Sequence, residues 1–224
     1  MGSHDNKVYA LNATTGALIW DYNTVGLVES SPGVADGKVF VGSGDGKVFA
    51  FGYRHDIAIT NVVSCKTVVG QGFAVGINVT VQNQGNIIES FNVTAYYSNS
   101  SFTSAIASQN VTLTDGSFTT ITFTWNTTGF DKGNYSIWAY AWPVPGEIDP
   151  ADNNFTDGYV FVAMVGDINA DGIVDIEDIY AIALTYGTTP GQPGYKPNQD
   201  INWDGIIDIE DIYTAALHYG ETSP

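Results

Sequence analysis

The sequence predicts a mainly β protein that ends in a small α-helical tail. Three observations predict it: a repeat with a period near forty at the start, seven alternating segments in the middle, and two near-identical acidic segments at the end. These patterns divide the chain into residues 1–54, 55–163 and 164–224. No apolar run approaches the ~18 residues that a membrane-spanning helix needs, so we expect no transmembrane segment.

The first segment repeats itself after forty positions. MGSHDNKVYAL (1–11) realigns with VGSGDGKVFAF (41–51), and between them Thr15-Gly16 is followed by Trp20. A Thr-Gly turn followed by a tryptophan resembles the repeat of pyrroloquinoline-quinone-type β-propellers. Because a propeller closes only with several four-stranded blades, we expect a partial, propeller-like blade without quinone binding. The alternative is a small sheet of its own.

The middle segment alternates apolar and polar residues between Gly, Asn and Asp turns. In residues 73–81 every second side chain is apolar, which places one face of a strand inward and the other in solvent. Seven such short strands predict a β-sandwich. The turn GEIDPADNNFT (146–156) resembles the Asp-Pro…Asn-Asn signature of CARDB, an adhesion-related family. This resemblance implies an immunoglobulin-like sandwich.

The tail holds one pattern twice, 33 residues apart: residues 167–187 and 200–220 agree at sixteen of twenty-one positions. Each copy opens with a twelve-residue loop that has oxygen-bearing side chains at positions 1, 3, 5, 9 and 12 and glycine at position 6, the spacing of an EF-hand calcium loop. We therefore expect two Ca²⁺ ions, with a main-chain carbonyl contributing at position 7. The expected ligands are Asp167, Asn169, Asp171, Ile173, Asp175 and Asp178, and then Asp200, Asn202, Asp204, Ile206, Asp208 and Asp211.

The alternative for the tail is a plain pair of acidic helices with solvated carboxylates. Magnesium is disfavoured, because the loops offer nearly all ligands from protein. Since the aspartates of each loop repel one another without the ion, we expect the tail to unfold in chelator while the sandwich persists.

The tail resembles the type I dockerin family over residues 164–220. The resemblance lies in the duplicated loop, the Asp at position 12, and a helix that follows each loop without one preceding it. It implies binding to a cohesin module through loop positions 10 and 11 and the helix after them. Ile-Glu and Ala-Leu stand where the family often has Ser/Thr and Lys-Arg pairs, so a more apolar partner surface is expected. The implied contacts are Ile176, Glu177, Ala183, Leu184, Ile209, Glu210, Ala216 and Leu217. Because the copies are nearly identical, we expect the partner to accept either face.

Charge and acceptor sites point to an extracellular or cell-surface protein. The net charge of −17 opposes binding to nucleic acid. Cys65 is the one cysteine, which excludes an internal disulfide and a cysteine-based zinc site. The sequon Asn-x-Ser/Thr occurs at eight of seventeen asparagines, more than chance gives, and predicts N-glycans. These asparagines are Asn12, Asn78, Asn92, Asn99, Asn110, Asn126, Asn134 and Asn154.

These features favour a non-catalytic tether over two other functions. His4, His55 and His218 are scattered, and no Ser-His-Asp or paired-carboxylate constellation is visible. The first alternative is a calcium-stiffened subunit of a glycosylated surface filament or stalk, which associates with itself and has no cohesin partner. The second is a piece of an enzyme whose active site lies in a larger propeller. A dockerin-like tail, a CARDB-like sandwich and N-glycan sequons together suggest an archaeal surface protein.

Overall fold

A computed structural model describes residues 1–223. Strands hold 44% of the residues and helices 11%, so the protein is mainly β, as the sequence predicts. The chain divides into two compact units, one of residues 1–54 and one that begins at residue 55. Within the described part, neither helix has the length and the run of apolar residues that crossing a membrane requires.

The first unit consists of two small antiparallel sheets. One is the hairpin β1–β2, and the other is the meander β3–β4–β5. Val8, Val28 and Val41 form its small core, each at most 3% exposed. The strands are β1 (Lys7–Leu11), β2 (Leu18–Asn23), β3 (Gly33–Ala35), β4 (Lys38–Gly42) and β5 (Val48–Phe51).

The second unit begins with a sandwich of two sheets, ordered β10-β9-β12-β13-β7 and β11-β8-β6. All seven expected segments are strands, and an eighth, β7, pairs in parallel with the end of β13. Strand β7 has only three residues, which is too short a segment for an alternating pattern to predict it from the sequence. The strands are β6 (Ile57–Ser64), β7 (Val68–Gly70), β8 (Ala74–Asn83), β9 (Glu89–Ser98), β10 (Thr103–Leu113), β11 (Phe118–Asn126), β12 (Gly133–Ala141) and β13 (Asn154–Ala163).

The sandwich core lies between the two sheets and follows the predicted alternation. Val75, Ile77, Val79 and Val81 of β8 are all 0% exposed and belong to this core. On the opposite face of the same strand, the hydroxyl of Thr80 lies 2.8 Å from that of Thr120 on β11, outside the core. The period-two pattern therefore fixes which side of each strand is buried.

Two helices of nine residues each, α1 (Ile176–Leu184) and α2 (Ile209–Leu217), follow the two acidic loops. Asp175 and Asp208 cap their N-termini by accepting a hydrogen bond from the main chain at position 11, 2.7 Å away in both copies. Apolar residues at 3–4 spacing, followed by Gly187 and Gly220, predict helices over about residues 176–186 and 209–219. Both helices end two residues earlier, at Leu184 and Leu217, because Thr185 and His218 already leave the helical conformation as C-caps.

The tail packs directly against the sandwich. Ile182, Ile201, Ile207 and Ala215 form its buried core, and Phe73 contacts both this core and that of the sandwich. The sandwich and the tail therefore form one packed unit.

Candidate functional site

The candidate site consists of two loops, residues 167–178 (loop 1) and 200–211 (loop 2). We number the positions of each loop from 1 to 12. Every expected calcium ligand lies in one of these loops, and each loop runs directly into its helix, so position 12 belongs to the first helical turn.

Loop 1 is closed by hydrogen bonds from its own main chain to its acidic side chains. The two carboxylate oxygens of Asp178, at position 12, accept from the N–H of Ile168 and from that of Asp175, each at 3.0 Å. Asp167, at position 1, accepts from the N–H of Gly172 at 3.1 Å. The first and last residues of the loop are thus both tied to its interior backbone.

Loop 2 repeats these contacts at the matching positions. Asp211 accepts from the N–H of Ile201 at 2.6 Å and from that of Asp208 at 2.9 Å. Asp200 accepts from the N–H of Gly205 at 3.1 Å. The duplication in the sequence is therefore a duplication in structure.

The side chains at positions 3 and 5 form successive turns inside each loop. Asn169 accepts from the N–H of Asp171 at 2.9 Å, and Asn202 accepts from that of Asp204 at 3.0 Å. The two aspartates in turn accept from the N–H at position 7, 2.9 Å and 3.0 Å away. Such Asx turns fold the backbone tightly and keep several side-chain oxygens along one short loop.

Positions 4 and 6 have left-handed backbone conformations in both loops. Gly172 and Gly205 have φ of 90° and 92°, which glycine adopts without strain. Ala170 and Trp203 have φ of 61° and 59°, where a side chain is unfavourable. Each loop therefore holds a sharp turn that its position-6 glycine makes feasible.

The aspartates at positions 1 and 12 are buried. Asp167, Asp178, Asp200 and Asp211 are 3%, 1%, 0% and 0% exposed. Burial raises the pKa of Asp167, Asp178 and Asp211, and neighbouring carboxylates raise each of these pKa values further. A bound cation would remove this penalty, because it would neutralise carboxylates that water no longer solvates.

Asp200 provides the sharpest test of whether a cation fits. One of its oxygens accepts from Gly205 and from the hydroxyl of Tyr195 at 2.8 Å. The other, Oδ1, is buried and has no hydrogen-bond partner within residues 1–223. A buried carboxylate oxygen without a partner is costly, and a cation would satisfy it.

The acidic side chains are not gathered into a metal-binding cluster in this structure. Across the described residues, no group of three or more His, Cys, Asp or Glu side chains is placed to hold a metal ion. Most of their oxygens accept from loop N–H groups instead. The donor chemistry nevertheless fits calcium, since carboxylates, Asn amide oxygens and the carbonyls of Ile173 and Ile206 are all hard oxygen ligands.

Lys66 of the sandwich contacts loop 2, a residue that sequence reasoning missed. It lies between β6 and β7 and is 2% exposed. Its ammonium donates to the main-chain oxygens of Asp200 and of Ile201, the latter at 3.2 Å. Burial lowers the pKa of Lys66 to about 8, against the opposing effect of the carboxylates of Asp200 and Asp211. A lone lysine beside a strand carries no signal in the sequence that could have identified it.

The expected partner residues are exposed on both helices. Ile176 and Leu184 of α1 are 62% and 67% exposed, and Ile209 and Leu217 of α2 are 60% and 62% exposed. Glu177, Ala183, Glu210 and Ala216 are exposed as well. Tyr180 and Tyr213, which the 3–4 spacing of the sequence places on the apolar stripe of each helix, lie one turn after the isoleucines and are 61% and 62% exposed. Each helix therefore presents an Ile-Tyr-Leu stripe, which we call stripe 1 on α1 and stripe 2 on α2.

The acceptor asparagines of the sequons lie mostly at the surface. Asn78 and Asn99 are half-buried, and the other six are exposed: Asn12, Asn92, Asn110, Asn126, Asn134 and Asn154. Exposure is a condition for N-glycosylation, and six of the eight positions meet it fully.

Comparison with known proteins identifies the repeat in the first unit. Residues 1–55 match the family described as outer membrane protein assembly factor BamB. The beta-alanine-activating enzyme of Danio rerio is 46% identical over 55 residues, in a match that covers 21% of this chain and 5% of that protein. The propeller-type resemblance of this segment is thereby confirmed. The chain spans about 5% of the length of that curated relative.

Solved structures similar to the chain include a CARDB domain. That domain, from the PF1109 protein of Pyrococcus furiosus, was solved in complex with di-metal ions; it is 24% identical with a TM-score of 0.41, covering 50% of this chain and 96% of that one. A β-glucosidase from Erythrobacter marinus is 15% identical with a TM-score of 0.41, covering 54% of this chain and 16% of that one. TM-scores of this size carry no argument about activity.

Proposed function

We propose that this protein is an extracellular, non-catalytic tether, whose tail binds two calcium ions and a cohesin-like partner. The observation that carries the proposal is the buried, duplicated acidic loop. Both copies bury their position-1 and position-12 aspartates, and Oδ1 of Asp200 has no hydrogen-bond partner in the described chain. A divalent cation would neutralise these groups, and the resemblance to type I dockerins points to calcium.

Calcium would act on the fold of the tail. Loop 1 would use Asp167, Asn169, Asp171, Asp175 and Asp178, and loop 2 the matching residues. Without a cation, the carboxylates of each loop repel one another at short range, and burial strengthens that repulsion. The ion would therefore stabilise both loops and, through position 12, the first turn of each helix.

Partner binding would follow from the two helix stripes. Each stripe combines three large apolar side chains with one glutamate, Glu177 on α1 or Glu210 on α2. Two exposed apolar stripes on so small a tail are typical of a surface that a partner covers. Because the glutamates flank apolar side chains, we expect the partner to present an apolar groove with a basic rim.

The test for calcium is titration calorimetry on the full chain after treatment with chelator. Two bound ions per chain at micromolar calcium are expected. A stoichiometry of one would mean that one loop is not a site, and no binding heat together with no calcium-dependent change in circular dichroism would overturn the proposal.

The test for the tether is a pull-down from the native cell envelope with the full chain as bait, in calcium and in chelator. A specific partner retained in calcium and released by chelator is expected. A matched variant carries Glu177→Lys and Glu210→Lys, which inverts the charge of both stripes, leaves the calcium ligands intact and should weaken partner binding without loss of calcium. Calcium binding with no partner, accompanied by self-association, would favour the structural alternative of a calcium-stiffened surface filament.

A further inference from the structure

The turn between β6 and β7 holds the start of loop 2. Lys66 is almost fully buried, and its ammonium donates to the carbonyls at positions 1 and 2, those of Asp200 and Ile201. A buried ammonium group is stable only when it has acceptors. Since these carbonyls belong to loop 2, displacing the loop would leave Lys66 without them.

A second contact fixes the chain just before loop 2. The side-chain oxygen of Asn198 accepts from the N–H of Thr67 at 3.0 Å and from that of Val68 at 3.3 Å. Its amide nitrogen donates to the hydroxyl of Thr67 at 3.0 Å. This one side chain therefore ties the entrance of loop 2 to the sandwich with three hydrogen bonds.

A third contact is made at position 4 of loop 2. The ring of Trp203 lies so close to Gly76 of β8 that a Cβ added at Gly76 would be 2.3 Å from the ring carbon Cζ2 and 3.1 Å from the sulfur of Cys65. Glycine at 76 is therefore what allows the tryptophan to pack on the sandwich.

Loop 1 has no equivalent of these three contacts within the described chain. Position 4 is Ala170, and the residue that matches Asn198 is Val165, which has no side-chain hydrogen-bonding group. Lys132 is the nearest candidate for a counterpart of Lys66, but it lines an open cavity of about 280 Å³ beside Asp167 and Asp171 and donates no hydrogen bond to loop 1. The far half of loop 1 is held by the chain end, where the N–H of Ser223 donates to the carbonyl of Gly172 at 2.7 Å and the N–H of Val174 to the carbonyl of Glu221 at 2.9 Å. The far half of loop 2 is held in the same way by residues 187 and 188, through Ile207, so the two loops differ in their first halves.

We propose that the sandwich holds loop 2 in its folded form before calcium binds, so that calcium orders mainly loop 1. The residues that do this are Lys66, Asn198 and Trp203, and they act as positioning residues. The statement that calcium orders mainly loop 1 rests on the proposed function. The sequence alone predicted that the whole tail unfolds in chelator; the contacts of the sandwich with loop 2 restrict that unfolding to loop 1.

Hydrogen exchange on the full chain in chelator tests the inference with a control built into the molecule. The N–H groups of Ile168 and Ile201 make the same bond to position 12, and those of Gly172 and Gly205 make the same bond to position 1. After correction for intrinsic rates, we expect the loop 2 amides to exchange at least tenfold more slowly than their loop 1 counterparts. Equal rates in the two loops would overturn the inference.

Two variants assign the difference to the named contacts. Lys66→Met keeps the length of the side chain and removes the donors, and Asn198→Val gives loop 2 the type of residue found in loop 1. Each variant is expected to speed the exchange of the loop 2 amides at least tenfold, toward the rates of loop 1. Lys132→Met is expected to leave the exchange rates of both loops unchanged. Amides of Val79 and Val93 report whether the sandwich stays folded. If both variants keep the sandwich folded and the rates of loop 2 unchanged, the inference is wrong.

Added calcium separates this inference from the proposed function. If the inference holds, saturating calcium slows exchange in loop 1 by a larger factor than in loop 2. If calcium slows neither loop, the calcium sites are wrong, although the difference in chelator can still be present. If the two loops exchange at equal rates in chelator and calcium slows both by the same factor, calcium binds and the inference is wrong.

Discussion

Loop 1 and loop 2 are nearly the same in sequence and have different surroundings. Most internal hydrogen bonds recur at matching positions in both loops, but Oδ1 of the position-1 aspartate accepts from Asp171 in loop 1 and has no partner in loop 2 within the described chain. Loop 2 is also held by a lysine, an asparagine and a tryptophan against the sandwich, and within the described chain loop 1 lacks these three contacts. The comparison shows that nearly the same local sequence adopts nearly the same loop conformation twice in different surroundings, and we infer that the surroundings set how much that conformation depends on a ligand.

The largest expected effect is the loss of one calcium site. Asp178→Ala and Asp211→Ala each remove the position-12 carboxylate, and each should weaken calcium at its own loop by more than the roughly 10–100-fold that a lost supporting contact costs. Calorimetry should count one ion in each variant and two in Asp115→Ala, an exposed control outside the loops. If either variant lost both ions, the two loops would not be independent calcium sites.

The next effect concerns the two stripes. Changing Ile176 to Ala and Glu177 to Lys, or making the same changes at Ile209 and Glu210, should weaken partner binding about twofold, because one of two equivalent orientations remains. All four changes together should weaken it roughly 100-fold, since truncated interface anchors cost about 2 kcal/mol or more each. Surface plasmon resonance in saturating calcium measures both. Loss of binding from one pair alone, with calcium affinity intact, would show a single docking face.

Exchanging the residues at position 4 tests the packing of loop 2. Trp203→Ala should lower the free energy of unfolding by about 2 kcal/mol, less than the roughly 3–5 kcal/mol of a fully buried tryptophan, because the ring is half-buried. Ala170→Trp should change it by less than about 0.5 kcal/mol, since Ala170 lines an open cavity in which the new ring would have no prepared neighbour. Urea unfolding in calcium measures both variants. Similar losses in the two would mean that Gly76 offers no special place for the ring.

The smallest expected difference lies at the helix ends, where the copies have Thr185 and His218. The hydroxyl of Thr185 donates to Gln199 at 2.6 Å, and His218 lies 3.0 Å from the exposed carboxylate of Glu221. Thr185→Ala should cost about 1 kcal/mol, and His218→Ala less than about 0.5 kcal/mol. The same urea series measures them, and a larger cost at His218 would reverse the expected order.

The mainly β fold and the helix that follows each acidic loop were predictable from the sequence. Alternation in β8 and the spacing of the aspartates depend on neighbours along the chain, which a sequence displays directly. Strand β7 was missed, because its three residues become a strand only by pairing with β13. The helices were predicted two residues too long, since the sequence does not show where each final turn stops.

The surroundings of the site could not be predicted. Lys66 and Asp200 are 134 residues apart, and nothing in either neighbourhood predicts that they meet. From the sequence, Gly76 is only a residue that weakens a strand; the structure shows that Trp203 packs against it. The tyrosines of the stripes, Tyr180 and Tyr213, follow from the 3–4 spacing of apolar residues, which does not show how far each side chain is exposed. The calcium ions, the partner and the N-glycans stay predictions.

The direct connection between β13 and loop 1 has a mechanical consequence. Three residues, Met164 to Gly166, join the strand to Asp167, and Met164 is 7% exposed. Tension applied through a bound partner would reach β13 along its length once the contacts of Lys66, Asn198 and Trp203 with loop 2 had given way. Its hydrogen bonds to β12 run across that direction, so they would share the load and yield together instead of opening one by one. With so short a connection, the sandwich would then bear the tension, and its rate of forced unfolding would set how long the link lasts under load.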